Sequence, residues 1–244
     1  MWTSTANQGY LTITGHYITD DWILKHCVLA TRRIQGRHTN DHLLEKWHEV
    51  EDEFDIRLKI AGITSDNASN MKAATAKHQF TTQASAGTSC FAHTLQLAVQ
   101  DGLDQEIVKN TAAACRKVVG HFNMSSQAMD ALENYQKRFS PDQPVLKPVQ
   151  DVVTRWNSTF LMFKRLQQLR TAIYAVIHDP KVTKTSQCAD LEISTLQWQI
   201  IDDLVPVLAP FAAATEMLSS ESYLCASCVM PLLMGLIKNN LTSK

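Results

Sequence analysis

The chain has 244 residues, of which 45% are hydrophobic and 19% charged, and its net charge is −1. These values are typical of a soluble globular protein with one large domain or two small ones. Six cysteines without regular spacing favour a reducing intracellular compartment over a disulfide scaffold. The longest apolar run, residues 224–237, contains Pro231 and is too short to span a bilayer, which excludes a membrane protein.

The charge is unevenly distributed along the chain. Residues 57–184 carry 16 basic and 9 acidic side chains, whereas acidic residues are in excess on both sides of this segment. Because affinity for phosphate comes from Lys and Arg, a nucleic acid would be held by the middle segment. An excess of this size is also a common local fluctuation, and the sequence leaves that alternative open.

The first third of the chain predicts a β-hairpin and a helix. Residues 10–18 and 24–34 are rich in β-forming residues and are joined by a turn at 19–21. Thr39 then predicts the start of a helix that ends near residue 54. The acidic side chains of this helix are expected to form a solvated face; they are Glu45, Glu49, Glu51, Asp52 and Glu53.

Two junctions between a strand and a helix follow. Residues 58–64 predict a strand that ends at Asp66, with a helix over 67–77 and a polar loop over 79–88. Cys90 and His93 stand at the next junction. Since ligands gather at the carboxyl ends of strands in open α/β sheets, these side chains are candidate site residues.

From residue 91 onward the pattern is helical. The predicted boundary between an α/β core and a helical part lies between residues 100 and 101. Pro206 and Pro210 are expected to interrupt or start helices. The predicted helical segments are 103–139 with a break near 123–126, 157–178, 196–218 and 224–241.

Three segments in this order resemble the transposase domain of the hAT superfamily: SDNASNM at 65–71, CFAHTLQL at 90–97 and VTRWNST at 153–159. The chain is most similar to the domesticated members found in zinc-finger BED domain proteins. The resemblance covers essentially the whole chain. It implies an α/β fold with a ribonuclease-H-like mixed sheet, followed by a mostly α-helical insertion.

The resemblance also implies an active site of two Asp and one Glu that binds Mg²⁺ or Mn²⁺. Asp66 matches one of these positions and is the expected catalytic and metal-binding residue, with Cys90 and His93 in its vicinity. The family places the other Asp directly before residues 1–4 and the Glu beyond the helical insertion. We therefore expect a sheet without its first strand, which in the family lies between the hairpin and strand 58–64. We also expect a chain that is inactive as it stands.

Two alternatives remain for these residues. From the residues alone, Asp66 could cap the helix over 67–77. Cys90 and His93 could form a Cys₃His zinc site with Cys225 and Cys228. The apolar surroundings of the last two cysteines favour a core role, so no zinc is expected; Mg²⁺ or Mn²⁺ is expected only in the intact domain.

Arg155 and Trp156 are candidate DNA-binding residues. An Arg for phosphate beside an aromatic ring for an unstacked base suits DNA that is distorted during cleavage, and in the family the corresponding Trp is associated with such a base. Basic residues nearby in sequence extend the candidate surface: Lys164, Arg165 and Arg170. The alternative is that Trp156 belongs to the helical core and that Arg155 pairs with Asp151.

The sequence thus predicts a fragment of an hAT-type transposase-derived domain that binds DNA. The intact domain would cleave DNA and transfer strands with divalent metal. The alternative is a non-enzymatic nuclear module for interaction or dimerisation in a BED-finger transcription regulator. In either case we expect a nuclear protein with DNA as partner. Homo-oligomers are expected to form through a C-terminal region of the family that this chain does not contain.

Overall fold

The computed structural model describes residues 2–4, 6–78, 87–219 and 226–238. The chain forms two compact units, Met1–Thr94 and Leu95–Lys244. This division falls within one helix, Phe91–Leu103, and the expected boundary after residue 100 lies in the same helix. That boundary stays a prediction.

Unit 1 begins with a three-stranded antiparallel sheet. Its strands are β1 (Trp2–Thr3), β2 (Gly9–Ile18) and β3 (Leu24–Ile34), in the order β1-β2-β3. The predicted hairpin is confirmed, with Gly9 opposite Ile34 at one end and Ile18 opposite Leu24 at the other.

The sheet was expected to lack its first strand, but a two-residue strand, β1, pairs with β2 of the hairpin, whereas the two later strands of unit 1 form a separate sheet. Trp2 pairs with Tyr10 in antiparallel register. A tight turn allows this pairing, because the N–H of Asn7 donates to the carbonyl of Ser4 at 2.9 Å. Asn7 itself adopts a φ of 56°, and Asn tolerates this left-handed conformation better than most residues do.

Helix α1 (Asn40–Glu53) covers this sheet. Thr39 caps it, since its side-chain oxygen accepts a hydrogen bond from the N–H of His42. The prediction of this helix is confirmed. The core of unit 1 is formed by apolar side chains from the sheet, α1 and the segment that follows: Leu11, Ile34, Leu43, Trp47, Ile63, Met71 and Ala74.

The second half of unit 1 contains two short parallel strands, β4 (Ile63–Ser65) and β5 (Gly87–Ser89), and helix α2 (Ser69–Lys77) between them. Helix α3 (Phe91–Leu103) follows β5. The predicted strand over 58–64 is wrong in extent. Residues 57–59 form a turn in which the N–H of Lys59 donates to Ile56, and Leu58 is 78% exposed. Of the predicted polar loop, residues 79–86 lie outside the described residues.

Unit 2 is helical. Its long helices pack around large side chains that are almost fully buried, among them Phe122, Leu132, Trp156, Phe163 and Leu166. The helices are α4 (Glu106–Met124), α5 (Ser126–Phe139), α6 (Trp156–Ile177), α7 (Thr185–Leu191), α8 (Thr195–Leu218) and α9 (Val229–Leu236).

Helix α8 corrects one expectation, because it runs without interruption through Pro206 and Pro210. Each proline removes one backbone donor, and the two carbonyls that lose a partner are those four residues earlier. Packing of Ile201 and Leu208 into the core of unit 2 offsets this loss. No helix in the described ranges has the length and apolar character needed to cross a bilayer.

Candidate catalytic and nucleic-acid-binding residues

Asp66 lies at the carboxyl end of β4, directly after Ser65. Strand β5 runs parallel to β4, so the following segments leave from the same edge. The carbonyl of Ser65 accepts a hydrogen bond of 2.6 Å from the N–H of Cys90, which joins the two strand ends. The half-buried carboxylate of Asp66 is therefore held at an edge where a hard divalent cation can approach it.

The alternative that Asp66 caps the next helix is wrong. Helix α2 begins at Ser69, its N-cap residue is Ala68, and no side chain caps it. The Oδ1 atom of Asp66 accepts instead from the N–H of Ala68 at 3.2 Å, a local turn that orients the carboxylate before the helix starts.

Cys90 and His93 lie at the start of α3, and both are half-buried. Cys90 is a free thiol, and its carbonyl accepts from the hydroxyl of Thr94 at 3.0 Å. The same hydroxyl accepts from Nδ2 of Asn67 at 2.9 Å, which ties the two junctions together.

Asp66, Cys90 and His93 belong to no group of three metal-ligating side chains within the part of the chain that the structure describes. The roles assigned to these three residues stay predictions. Cys225 lies outside the described residues, so the Cys₃His alternative is not tested either.

The acidic face of α1 is solvated only in part. Glu45, Glu49, Asp52 and Glu53 are exposed as expected, but Glu51 is 1% exposed. This corrects the prediction for Glu51.

Two imidazoles surround the carboxylate of Glu51. Nδ1 of His48 lies 2.8 Å from Oε2, and Nε2 of His78 lies 2.5 Å from Oε1. The contact between His48 and Glu51 could have been predicted from the sequence, because residues three apart on a helix lie side by side. The second histidine, 27 positions away in sequence, was not predictable from local spacing.

Trp156 is the first residue of α6 and is fully buried in the core of unit 2. Its Nε1 atom has no hydrogen-bond partner among the described residues. In this conformation the ring cannot stack on a base, so its burial matches the core alternative. The base-stacking role stays a prediction, and it requires the ring to leave the core.

Asp151 pairs with Arg116 and not with Arg155, which corrects the alternative considered for Arg155. Three hydrogen bonds of 2.7–3.1 Å join the guanidinium of Arg116 to both oxygens of Asp151, and Thr159 donates a fourth at 2.9 Å. Burial alone would raise the pKa of Asp151, but the hydrogen bonds from Arg116 and Thr159 outweigh it and hold the pKa below its ordinary value. Arg155 is exposed.

The basic side chains of α6 do not form one continuous face. Successive helical residues are about 100° apart, which places Lys164, Arg165 and Arg170 on three different sides. Arg165 donates to the carbonyl of Lys147 at 2.7 Å. Arg170 pairs with Asp202 at 3.0 Å and lies over the ring of Trp198 at 4.5 Å.

Lys164 is exposed and makes no ion pair with a residue that the structure describes. It therefore remains the cation of this set that is most available to phosphate. Arg155 is similarly exposed at the start of the helix.

Two family models match consecutive parts of the chain. The model described as the ZBED1 RNase-like domain matches residues 1–90, and the one described as the ZBED1 RNase-like helical domain matches residues 88–206. The passage from one to the other lies close to the division between the two compact units.

Relatives come from fungi, plants and animals. The chain is 26% identical over 89% of its length to the "Putative transcriptional regulator tpeD" of Talaromyces stipitatus, and over 93% to the "Putative AC transposase" of Zea mays. It is 26% identical over 91% of its length to the human "Zinc finger BED domain-containing protein 4". The chain spans 28%, 28% and 18% of these three proteins.

The ordered motifs at residues 65–71, 90–97 and 153–159 thus occur in a mixed α/β unit and a helical unit that both match models of this family. Since the two models together match residues 1–206, the chain belongs to the hAT-derived family that these ZBED1 RNase-like domains represent.

Proposed function

We propose that this chain contains the ribonuclease-H-like core and the helical continuation of an hAT-type domain that acts on DNA in the nucleus. The observation that carries the proposal is the position of Asp66 at the carboxyl end of β4, beside the parallel strand β5. The order of elements supports the ribonuclease-H-like arrangement. A hairpin and a short first strand precede α1, and the β4, α2, β5 and α3 elements follow.

In this proposal Asp66 is one metal-binding carboxylate of the intact domain. A carboxylate oxygen is a ligand that Mg²⁺ and Mn²⁺ prefer, whereas the thiol of Cys90 and the imidazole of His93 are softer donors that suit these ions less well. One carboxylate does not fix the two ions, roughly 3.5–4 Å apart, that support in-line displacement at phosphorus. Cleavage and strand transfer would therefore need the other two acids of the whole protein.

A metal titration tests the role of Asp66. We expect the full 244-residue chain to bind Mn²⁺ weakly, as measured by the loss of its electron paramagnetic resonance signal. Asp66→Asn should abolish most of this binding. Asp21→Asn, which changes an exposed carboxylate on the hairpin turn, is the matched control. Equal binding by both variants would remove Asp66 from the proposed site.

DNA binding is expected to depend mainly on phosphate contacts. Arg155 and Lys164 are exposed on unit 2, so we expect weak binding that depends little on sequence and falls as salt rises. The double variant Arg155→Gln/Lys164→Gln should reduce the affinity for DNA and make it depend less steeply on salt concentration. Arg32→Gln/Arg33→Gln, on β3, is the control; a larger loss there would place the DNA-binding surface on unit 1.

The role of Trp156 is tested by measuring stability and DNA binding together. Since the ring is fully buried, Trp156→Ala should lower the free energy of unfolding by about 3–5 kcal/mol. A variant with unchanged melting but defective processing of DNA ends in the whole protein would instead support the base-stacking role.

A non-enzymatic module is the second candidate function, and the arrangement of α6 favours it. Arg165 and Arg170 contact protein groups, and Trp156 is buried, so these three predicted DNA-binding residues have structural partners. Such a module would support DNA-linked regulation or self-association in the whole nuclear protein. Metal-dependent cleavage by the whole protein would exclude this alternative.

A further inference from the structure

The group formed by His48, Glu51 and His78 is the second chemically distinctive cluster of unit 1. Its three ligand atoms lie within 4.8 Å of one another. The side chains of Glu51 and His78 are 1% and 0% exposed, whereas that of His48 is 31% exposed. Two of the three side chains are thus buried, and solvent reaches the cluster through the imidazole of His48.

Two helices build this cluster. His48 and Glu51 lie one turn apart on α1, and His78 is the C-cap residue of α2. The rings of His48 and His78 are 5.4 Å apart, and Trp47 flanks His78 at 5.9 Å. Because these neighbours restrict rotation of the imidazoles, the three ligands are held in place before any ion binds.

We infer that His48, Glu51 and His78 bind one divalent transition-metal ion of the Zn²⁺ class. Two imidazole nitrogens and one carboxylate oxygen are a common ligand set for such ions, with water in the fourth position of a tetrahedron. The proposal is independent of the proposed function, because it does not involve Asp66.

The distances describe the ion-free form of the site. Nδ1 of His48 and Nε2 of His78 face the two oxygens of Glu51 at 2.8 and 2.5 Å, which are hydrogen-bond distances. Zinc bonds of about 2.0–2.2 Å place tetrahedral ligands roughly 3.3 Å apart. An ion would therefore need each imidazole nitrogen to move about 1 Å or less away from its carboxylate oxygen, within a group whose ligand atoms already lie within 4.8 Å of one another.

The surface of α1 offers an entry path for a cation. His48 lines a shallow groove together with carboxylates of the same helix: Asp41, Glu45, Glu49 and Asp52. The positive charge of Arg57 disfavours a cation at this site, since its Nε lies 3.7 Å from Oε2 of Glu51. Asp52 partly neutralises this charge, because it pairs with Arg57 at 2.7 Å.

A bound ion would cross-link α1 to the end of α2. Helix α2 is the element that leaves from Asp66 at the edge of the β4–β5 sheet. The ion would thus fix the position of this helix, and its ligands would differ in chemistry from the oxygen ligands of the Mg²⁺ or Mn²⁺ expected at Asp66.

The test is a Zn²⁺ titration of the untagged 244-residue chain against a chromophoric chelator, with Co²⁺ as a spectroscopic probe. We expect one ion per chain and a Co²⁺ spectrum without a thiolate charge-transfer band. His48→Gln should weaken the affinity at least about tenfold, since even loss of a residue that only supports a metal ligand costs 10–100-fold. Circular dichroism checks that this partly exposed position leaves the fold intact.

Two further variants make the outcome decisive. His42→Gln is the matched control. His42 lies three residues before Glu45, as His48 does before Glu51, and its Nδ1 is 3.5 Å from Oε2 of Glu45. It belongs to no three-ligand group in the described residues. Arg57→Gln removes the opposing cation and should tighten binding. The inference is overturned if the wild type binds no ion, if His42→Gln weakens binding as much as His48→Gln, or if Cys27→Ser abolishes it. Unchanged affinity in both His48→Gln and Arg57→Gln overturns it as well.

Discussion

The two units each bury a carboxylate, but different partners contact it. Asp151 in unit 2 accepts from a guanidinium and a hydroxyl, whereas Glu51 in unit 1 accepts from two imidazoles. Arg is always charged and holds a carboxylate with two parallel bonds, so the Asp151 group has one stable state. Imidazole nitrogens are common metal ligands, so the Glu51 group has the chemistry to exchange its hydrogen bonds for a metal ion.

The largest expected effect is at Arg116, because its loss leaves the buried charge of Asp151 without a counter-ion. Arg116→Met should lower the free energy of unfolding by about 3–5 kcal/mol, as measured by urea denaturation. The double variant Arg116→Met/Asp151→Leu should recover part of this loss, since it removes the unpaired charge. The control Arg155→Met, at an exposed position, should change stability by less than about 0.5 kcal/mol. An equal loss of stability in Arg155→Met would contradict the assignment of Arg116 as the partner of Asp151.

A smaller effect is expected at Glu51. In buffer with a chelator, Glu51→Leu should lower the free energy of unfolding by about 1–3 kcal/mol, because it takes an acceptor from two imidazoles but leaves no buried charge. Glu49→Leu, on the exposed part of the same helix, is the control. A cost at Glu51 as large as that at Arg116 would mean that the two groups do not differ in the proposed way.

Thr159 should contribute less again. Thr159→Val keeps the shape of the side chain and removes one hydrogen bond to Asp151, which Arg116 continues to hold. We expect a loss of about 1 kcal/mol in urea denaturation. Thr159→Ser, which keeps the hydroxyl, should lose less; the reverse order would show that packing of the methyl group dominates.

The pH dependence of stability tests the Asp151 group while Arg116 stays in place. The folded-state pKa of Asp151 lies below its unfolded value, so its stabilising contribution is present above the unfolded pKa, about 4, and is lost as the pH falls through the folded value. The difference in free energy of unfolding between wild type and Asp151→Asn should therefore shrink as the pH falls below the unfolded pKa and through the lower folded one. Exposed Asp142→Asn should show no comparable change; a difference for Asp151→Asn that stays constant would contradict the prediction.

Local signals in the sequence were enough to predict most elements. The β-rich segments over 10–34 predicted the hairpin, and Thr39 predicted the start of α1. The start of α2 was misplaced by two residues, because Asp66 forms a local turn before the helix begins. Strand β4 was predicted too long, since an apolar run shows only that side chains prefer burial, and strand pairing requires a partner across the sheet.

The candidate site shows the same limit. The position of Asp66 between a strand and a helix followed from adjacent residues, and the structure places it at the edge of the β4–β5 sheet. The partner of Asp151 could not be predicted in this way, because Arg116 lies 35 positions away in sequence and Arg155 only four. Proximity along the chain favoured the wrong arginine.

The sequence by itself therefore determined the hairpin, the helix after it, the family and the strand-to-helix junction at Asp66, because these depend on local periodicity, turn residues and short motifs. Only the tertiary structure decided that Trp156 is a core residue, that Arg165 and Arg170 contact protein groups, and that Glu51 is buried between two histidines. The physical reason is that burial and the pairing of charges depend on which distant segments pack together. Side chains that bind DNA, bind metal or pack in the core can have the same local sequence pattern. Their roles differ only through the distant segments that they contact.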